Sequence, residues 1–256
     1  MKVTILGSGT CVPSLQRSSC SVLIETGKAK ILADIGAGTI RRLLEAGVLI
    51  SQITHILISH LHLDHIGELA SFLFSSKFPS PRKEPLTIIA ACGFVDFFIG
   101  LTAVFGSWIE LGDHVLQIVE LPGTGPGSYD CEDFKVQTLP IVHTAQSIGF
   151  RVISQEGHSV VYSGDTDYCE NLINLAIGTD LLICECAHPD QLKTIGHLCP
   201  SLAGETARKA EVNHLVLTHF YPDCESADIQ NECRTTFKGH LILARDLMTI
   251  TLPIAP

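Results

Sequence analysis

The stretch "SHLHLDH", Ser59–His65, decides how this chain is read. It gathers three of the 12 histidines of a 256-residue sequence, together with an aspartate, into six positions. Leu61 and Leu63 are interleaved with His60, His62, Asp64 and His65, so the run is no polar low-complexity loop. Histidine nitrogen and carboxylate oxygen are the donors that hydrolytic zinc uses when it must keep a coordination position open. Alternate side chains share a face along extended backbone, so His60 and His62 can hold one metal together. Asp64 and His65 lie past a turn of the chain and can serve a second. The two leucines are expected to be apolar anchors that turn the ligands outward.

Just upstream, "ITHILIS" (53–59) is a short, continuously apolar run, the pattern of a strand covered on both faces, and it delivers His60 at its end. "IGELASFLF" (66–74) is expected to start a helix immediately afterwards. Four later runs finish in the same manner: "FKVQTLPIVH" on His143, "HSVVYSGDT" on Asp165, "DLLICECA" on Glu185 and "HLVLTHF" on His219. Open sheets place their sites in the crevice beyond strand ends, so these groups can converge. His143 would complete the first metal and His219 the second, with Asp165 giving one oxygen to each. Two metals about 3.5–4 Å apart lower the pKa of a water between them. Without metal, five close histidines and two carboxylates would be costly to desolvate. The expectation is a dinuclear site held by His60, His62, Asp64, His65, His143, Asp165 and His219. Zinc is the default ion, and the same donor set suits Mn²⁺ or Fe²⁺.

The rest of the chain supplies a frame for that site. "KVTILGSGT" (2–10) reads as a strand ending in a glycine turn, "CSVLIETGKAKILADIG" (20–36) as a hairpin, and "AGTIRRLLEAGV" (37–48) as a helix stopped by Gly47. No repeat, linker or low-complexity stretch divides the sequence, so one domain over 1–256 is expected. "GFVDFFIGLTAVFGSWIEL" (93–111) is interrupted by Asp96, Gly100 and Gly106. It reads as a buried helix or a self-association surface, the latter implying a homodimer, rather than a membrane span. The N-terminus carries no secretory pattern. The ten cysteines are scattered singly with no Cys-x-x-Cys pair, which fits reduced, mostly buried thiols in a cytoplasmic protein. Net charge is −10, and that balance argues against extended nucleic-acid binding.

"SHLHLDH", followed by single ligands in "VHTAQS", "SGDTD" and "LTHF", resembles the metallo-β-lactamase superfamily, and within it the ribonuclease Z-like and phosphodiesterase branch. "TILGSGTCVPS", "LADIGAGTIRRLL" and "HLCPSLAGETARKAEVNHLVLTHF" extend the resemblance over nearly the whole chain. It implies an α/β fold, a four-layer αβ/βα sandwich of two mixed sheets flanked by helices, with the metals at one edge of the sheets. Di-iron relatives carry Glu at the position of His62, so His62 points to hydrolysis rather than redox chemistry. The resemblance also implies that Glu185 and His197 act as a proton relay, since phosphodiester cleavage needs a protonated group near the leaving oxygen. His188 is a competing local histidine. Asp64 would both bind metal and accept a proton from the attacking water, and Asp34 would orient a ligand from behind.

The substrate is less specified. Transfer-RNA-processing ribonucleases of this branch project a clamping arm between the third-motif histidine and the bridging aspartate. Here His143 and Asp165 are only 22 positions apart, room for two strands and a turn. The reading is therefore a zinc-dependent hydrolase, a phosphodiesterase acting on a small or short substrate such as a cyclic nucleotide, a nucleotide diester or an RNA 3′ end. The alternatives are a transfer-RNA 3′-processing endoribonuclease of ribonuclease Z type, an ester, lactone or sulfate hydrolase, and a non-catalytic accessory protein on the same fold.

Overall fold

The computed structural model describes residues 1–112 and 114–254. Fourteen strands form two seven-stranded sheets. The first sheet contains β1 (Lys2–Gly7), β2 (Ser21–Thr26), β3 (Ala29–Ala33), β4 (His55–Ile58), β5 (Leu86–Ala91) and β6 (Leu116–Leu121) in that order, with β14 (Met248–Thr251) added beside β1. The second runs in sequence order from β7 (Gly127–Asp130) through β8 (Phe134–Pro140), β9 (Ile148–Ser154), β10 (Ser159–Tyr162), β11 (Leu181–Glu185) and β12 (His214–Thr218) to β13 (His240–Leu243). Each sheet is half antiparallel and half parallel: β3–β6 and β10–β13 are the parallel halves. This is the expected mixed αβ/βα sandwich.

The period-two alternation of the strands sorts their side chains between layers. Val3, Ile5, Val22, Ile24, Ile31, Ala33 and Leu57 face the second sheet, against Val136, Phe150, Val152 and Val161. The intervening Leu6, Leu23, Leu32, Ile56 and Ile58 face outward, onto α1 (Thr39–Glu45) and α3 (Leu69–Ser75) through Leu43, Leu69, Phe72 and Leu73. Since both faces are covered, strands such as β4 read as unbroken apolar runs, and all four of its residues are buried. On the far side, α5 (Glu170–Ala176), α6 (Pro200–Lys209) and α7 (Ile229–Arg234) cover the second sheet. No helix among the described residues is long and apolar enough to cross a membrane.

Two expectations need correction. The helix after "SHLHLDH" is split into a single turn, α2 (Leu63–Ile66), and then α3. Glu68 causes the break: its backbone N–H donates to Ile35 O at 3.0 Å, and its carboxylate accepts from Gly38 N (2.9 Å) and Ile40 N (2.7 Å) at the start of α1. The 93–111 stretch is not a buried helix. In α4 (Phe94–Phe105) only Phe94 is buried, while Val95, Ile99, Val104, Phe105 and the following Trp108 are exposed. α4 packs one stripe onto the fold, with Phe97, Phe98 and Leu101 partly buried beside Phe94, and its other apolar residues remain on the surface.

Candidate metal centre

Four parallel strands and the antiparallel β8 deliver the polar residues to one edge, where the two sheets meet. Ser59 and His60 follow β4, His143 follows β8, Asp165 follows β10, Glu185 ends β11 and His219 follows β12. The backbone is extended at His62 and then enters α2, which carries Asp64 and His65 in its only turn. Two residues here, Asp34 and His219, adopt left-handed φ values of 60° without being glycine. Such conformations cost of order 1–3 kcal/mol and persist where surrounding structure fixes them.

Ligand atoms of His60, His62, His143 and Asp165 lie within 4.8 Å of one another, as do those of Asp64, His65 and His219. Asp165 joins the two groups. Its Oδ2 is 3.8 Å from both His60 Nε2 and His143 Nε2, and its Oδ1 is 3.1 Å from His65 Nε2 and 3.3 Å from His219 Nε2. Asp64 Oδ2 stands 3.5 Å from His219 Nε2. The structure thus brings together all seven residues singled out as ligands.

Hydrogen bonds behind the rings fix which nitrogen faces inward. His143 Nδ1 donates to Gly196 O at 2.8 Å, His65 Nδ1 to Asp34 Oδ2 at 2.6 Å, and His60 Nδ1 to Ser59 Oγ at 3.0 Å. In the neutral form of each ring Nε2 then presents a lone pair. His143 Nε2 then lies 3.0 Å from His62 Nδ1, and His60 Nε2 and Asp165 Oδ1 are buried with no hydrogen-bond partner. Converging lone pairs and orphaned buried polar atoms are unfavourable unless a cation satisfies them. The donor set fits a divalent metal.

Asp34 anchors this arrangement. Fully buried, it accepts from Ser59 N (2.8 Å), Ser59 Oγ (2.7 Å), His65 Nδ1 and Tyr162 Oη (2.7 Å). The electrostatics follow from burial set against facing charge. Burial alone would push His65 down, but Asp165 and Asp34 outweigh it and hold the ring well above its ordinary value. Burial would raise Asp165, yet His219 and His65 keep it well below the usual carboxylate range. His60, desolvated and facing His65, is pushed down to about 2.

A second cluster flanks the first. His197 Nδ1 is 3.0 Å from Glu185 Oε1 and 3.9 Å from Asp165 Oδ2. Glu185 is buried and accepts from Thr166 N (2.8 Å) and Ala187 N (3.2 Å). Burial pushes its carboxyl up. Burial works against a charged His197 as well, but the Glu185 hydrogen bond and charge raise the ring above its ordinary value. His188 stands one ring further out: it stacks on Tyr221 at 4.5 Å, the Tyr221 ring lies 6.4 Å from that of His197, and His188 Nδ1 faces Asp223 at 3.4 Å.

Leu63 is not an anchor. It is 78% exposed at the rim of the site, and Leu61 is only partly buried. The ligands are aimed by the Asp34 and Ser59 network and by the turn of α2 instead. Sequence reasoning also missed Tyr162, Thr166 and Gly196, which act on the site only through contacts closed by the fold. The ten cysteines are free thiols and six are buried, Cys184 and Cys186 among them.

Fold and site together define the class: a metallo-β-lactamase-fold hydrolase of the ribonuclease Z-like branch, with His/Asp clusters that bind divalent metal. More narrowly, the family model described as "Anti-Pycsar protein Apyc1" matches residues 1–237, and the chain belongs to that family. A curated ribonuclease Z from Mycobacterium sp. (strain KMS) is 30% identical, with 96% of this chain and 94% of the relative covered. The short form of human tRNase Z is 28% identical with a TM-score of 0.82, covering 99% of this chain and 100% of that one. The metallo-β-lactamase fold protein YhfI from Bacillus subtilis superposes with a TM-score of 0.83 at 22% identity, covering 98% and 99% of the two chains.

Proposed function

We propose that this chain is a zinc-dependent phosphodiesterase, one domain acting in the cytoplasm on a small or short phosphodiester such as a cyclic nucleotide, nucleotide diester or RNA 3′ end. The observation that carries the reading is Asp165, with one oxygen toward each of two histidine clusters and the Glu185–His197 pair alongside. His60, His62, His143 and Asp165 would hold one ion, and Asp64, His65, His219 and Asp165 the other. Two ions there would supply Lewis acidity at phosphorus and lower the pKa of an attacking water. The chain's own groups move the protons. Asp64 takes the proton released by the water. His197 keeps Nδ1 on Glu185 and gives its Nε2 proton to the leaving oxygen, while the buried carboxylate stabilises the imidazolium until transfer.

Three observations support a small substrate. The span from His143 to Asp165 is filled by β9, a turn and β10. Nearby cations are already paired: Arg17 with Glu225, Lys193 with Asp167, and Arg42 with Glu45 and Asp246. Net charge is −10, so a polyanion gains little from counterion release. The second reading, a transfer-RNA 3′-processing endonuclease, is favoured by the curated ribonuclease Z at 30% identity. The exposed apolar face of α4 with Phe74 and Trp108 is read as a contact between two copies of the chain.

The test is turnover with defined metals on bis(p-nitrophenyl) phosphate, cyclic nucleotides, precursor transfer RNA, lactones and sulfate esters. Small phosphodiesters are expected to be hydrolysed with kcat/KM at least tenfold above precursor transfer RNA. The reverse order establishes the endonuclease, preference for lactone or sulfate ester overturns the phosphodiesterase reading, and no turnover of any member favours an accessory role.

A further inference from the structure

Asp167 lies two residues beyond Asp165, in neither ligand cluster. Its backbone N–H donates to Val142 O at 2.7 Å, pairing the chain beside His143 with the strand end that carries Asp165. Its carboxylate reaches across to the 193–197 loop: Oδ2 accepts from Gly196 N at 2.9 Å and from Lys193 Nζ at 3.0 Å. Gly196 accepts the His143 Nδ1 hydrogen bond through its own carbonyl. It also adopts φ +86°, and a Cβ there would stand 3.2 Å from His143 Nδ1. His197 is the next residue. Thr194 and Ile195 are exposed, and the other backbone bonds of this loop, Lys193 N to Asp190 O and His197 N to Thr194 O, are local.

We propose that Asp167 is a positioning residue of the site: by holding Gly196 it aims the His143 ring at the His60–His62 cluster and seats His197 against Glu185. The inference rests on the ligand and proton-donor roles proposed above. The carbonyl that orients a ligating imidazole fixes its tautomer and direction, and loss of such a partner typically costs 10–100-fold in metal affinity or activity. In this chain that carbonyl sits on a loop that the Asp167 carboxylate holds at Gly196 N and Lys193 Nζ, with the His197–Glu185 contact and the Ala187 N to Leu198 O bond following it. One side chain therefore helps to direct both a metal ligand and a proton donor without touching substrate.

The experiment uses the full chain with Asp167→Ala, Asp167→Asn and Lys193→Ala. Zn²⁺ affinity is measured by competition with a chelating dye. Turnover at saturating Zn²⁺ is measured for two diesters, one with a p-nitrophenolate and one with an alkoxide leaving group. Asp167→Ala is expected to weaken one zinc ion about tenfold. It should also lower kcat about tenfold more on the alkoxide diester than on the p-nitrophenyl diester, with KM within about twofold. Asp167→Asn keeps an oxygen that accepts from Gly196 and should recover most of both losses. Lys193→Ala leaves the Gly196 bond intact and should resemble the parent. Parental zinc affinity and leaving-group ratio in Asp167→Ala overturn the proposal. So does equal impairment of all three variants, which would assign the effect to the ion pair alone. His143→Ala and His197→Ala separate the two levels. If they leave zinc affinity and leaving-group ratio unchanged, the reading of the site fails. If they change both and Asp167→Ala does not, only the positioning role fails.

Discussion

Replacing Asp34 with asparagine changes one atom and, by the hydrogen-bond pattern, should empty half of the site. Asn tolerates left-handed backbone, so the φ of 60° at this position adds little cost of its own. All four groups around the carboxylate donate to it: Ser59 N to Oδ1, and Ser59 Oγ, His65 Nδ1 and Tyr162 Oη to Oδ2. Ser59 N–H is the one partner that cannot turn into an acceptor, so the single oxygen of asparagine stays on it and the NH₂ stands opposite the other three donors. The two hydroxyls can rotate and accept. His65 can accept only by moving its proton from Nδ1 to Nε2, which removes the lone pair aimed at Asp165 and His219. Two consequences follow in magnitude. Hydrogen bonds to charged groups contribute about 1.5–3 kcal/mol each, so the metal-free protein should lose about 2–4 kcal/mol once hydroxyl rotation recovers part of the network. Loss of an orienting partner should weaken the ion at His65 by about 10–100-fold, or about 1.4–2.7 kcal/mol. Urea unfolding in chelator measures the first and dye competition the second. Parental zinc affinity in Asp34→Asn would refute the assignment of His65 tautomer to Asp34.

Removing metal from the parent should lower its stability, because His60 Nε2 and Asp165 Oδ1 are buried without partners. At a free ion concentration 100 times Kd the loss is about 2.7 kcal/mol, or about 5–10 °C in Tm at this chain length, and a Tm indifferent to chelator would contradict the site. His55, buried between Tyr129 and Phe134, has its pKa pushed by burial from 6.5 down to about 4. The unfolded chain therefore takes up a proton below pH 6.5 that the folded chain refuses, so stability present above pH 6.5 falls as pH drops toward 4, by about 2 kcal/mol at pH 5. Urea midpoints of His55→Phe should lose that part of the pH slope, and an unchanged slope would disprove its origin. Gly36→Ala would set a Cβ 2.0 Å from Asp64 O and 2.9 Å from Cys20 O. It should destabilise by more than about 3 kcal/mol and release the α2 turn, so a normal Tm and metal content would mean the backbone there yields more than its packing suggests.

Much of this architecture is written locally. β4, β10, β11 and β12 are largely apolar runs and β8 an alternating one, and each gives way to His, Asp or Glu at one end, so strand, direction and ligand can be read from a few neighbouring residues. What could not be read depends on closure of distant segments. Nothing around Leu63 distinguishes an anchor from a rim residue, because its exposure is set by the angle at which α2 leaves the strand. The 93–111 stretch carries more apolar residues than one helix stripe can hold, and the amount of sheet left uncovered decides how much of α4 is buried. Asp167 and Gly196 are 29 positions apart and chemically ordinary, and their meeting depends on where the loop after β11 folds back. β14 pairs with β1 from the opposite end of the chain, a pairing with no local signal at all.

The position of the site on the seam between the sheets has a mechanical consequence. His60, His62, Asp64 and His65 belong to the first sheet, and His143, Asp165 and His219 to the second. Ions held by both sets would act as staples across the sandwich. Any opening of the two sheets at this edge would have to stretch or break metal–ligand bonds, so sub-global unfolding that parts the layers would be rarer with metal than without. Amide exchange in β4 and β12, far apart in sequence and in different sheets, should then slow together on loading, because one event would expose both.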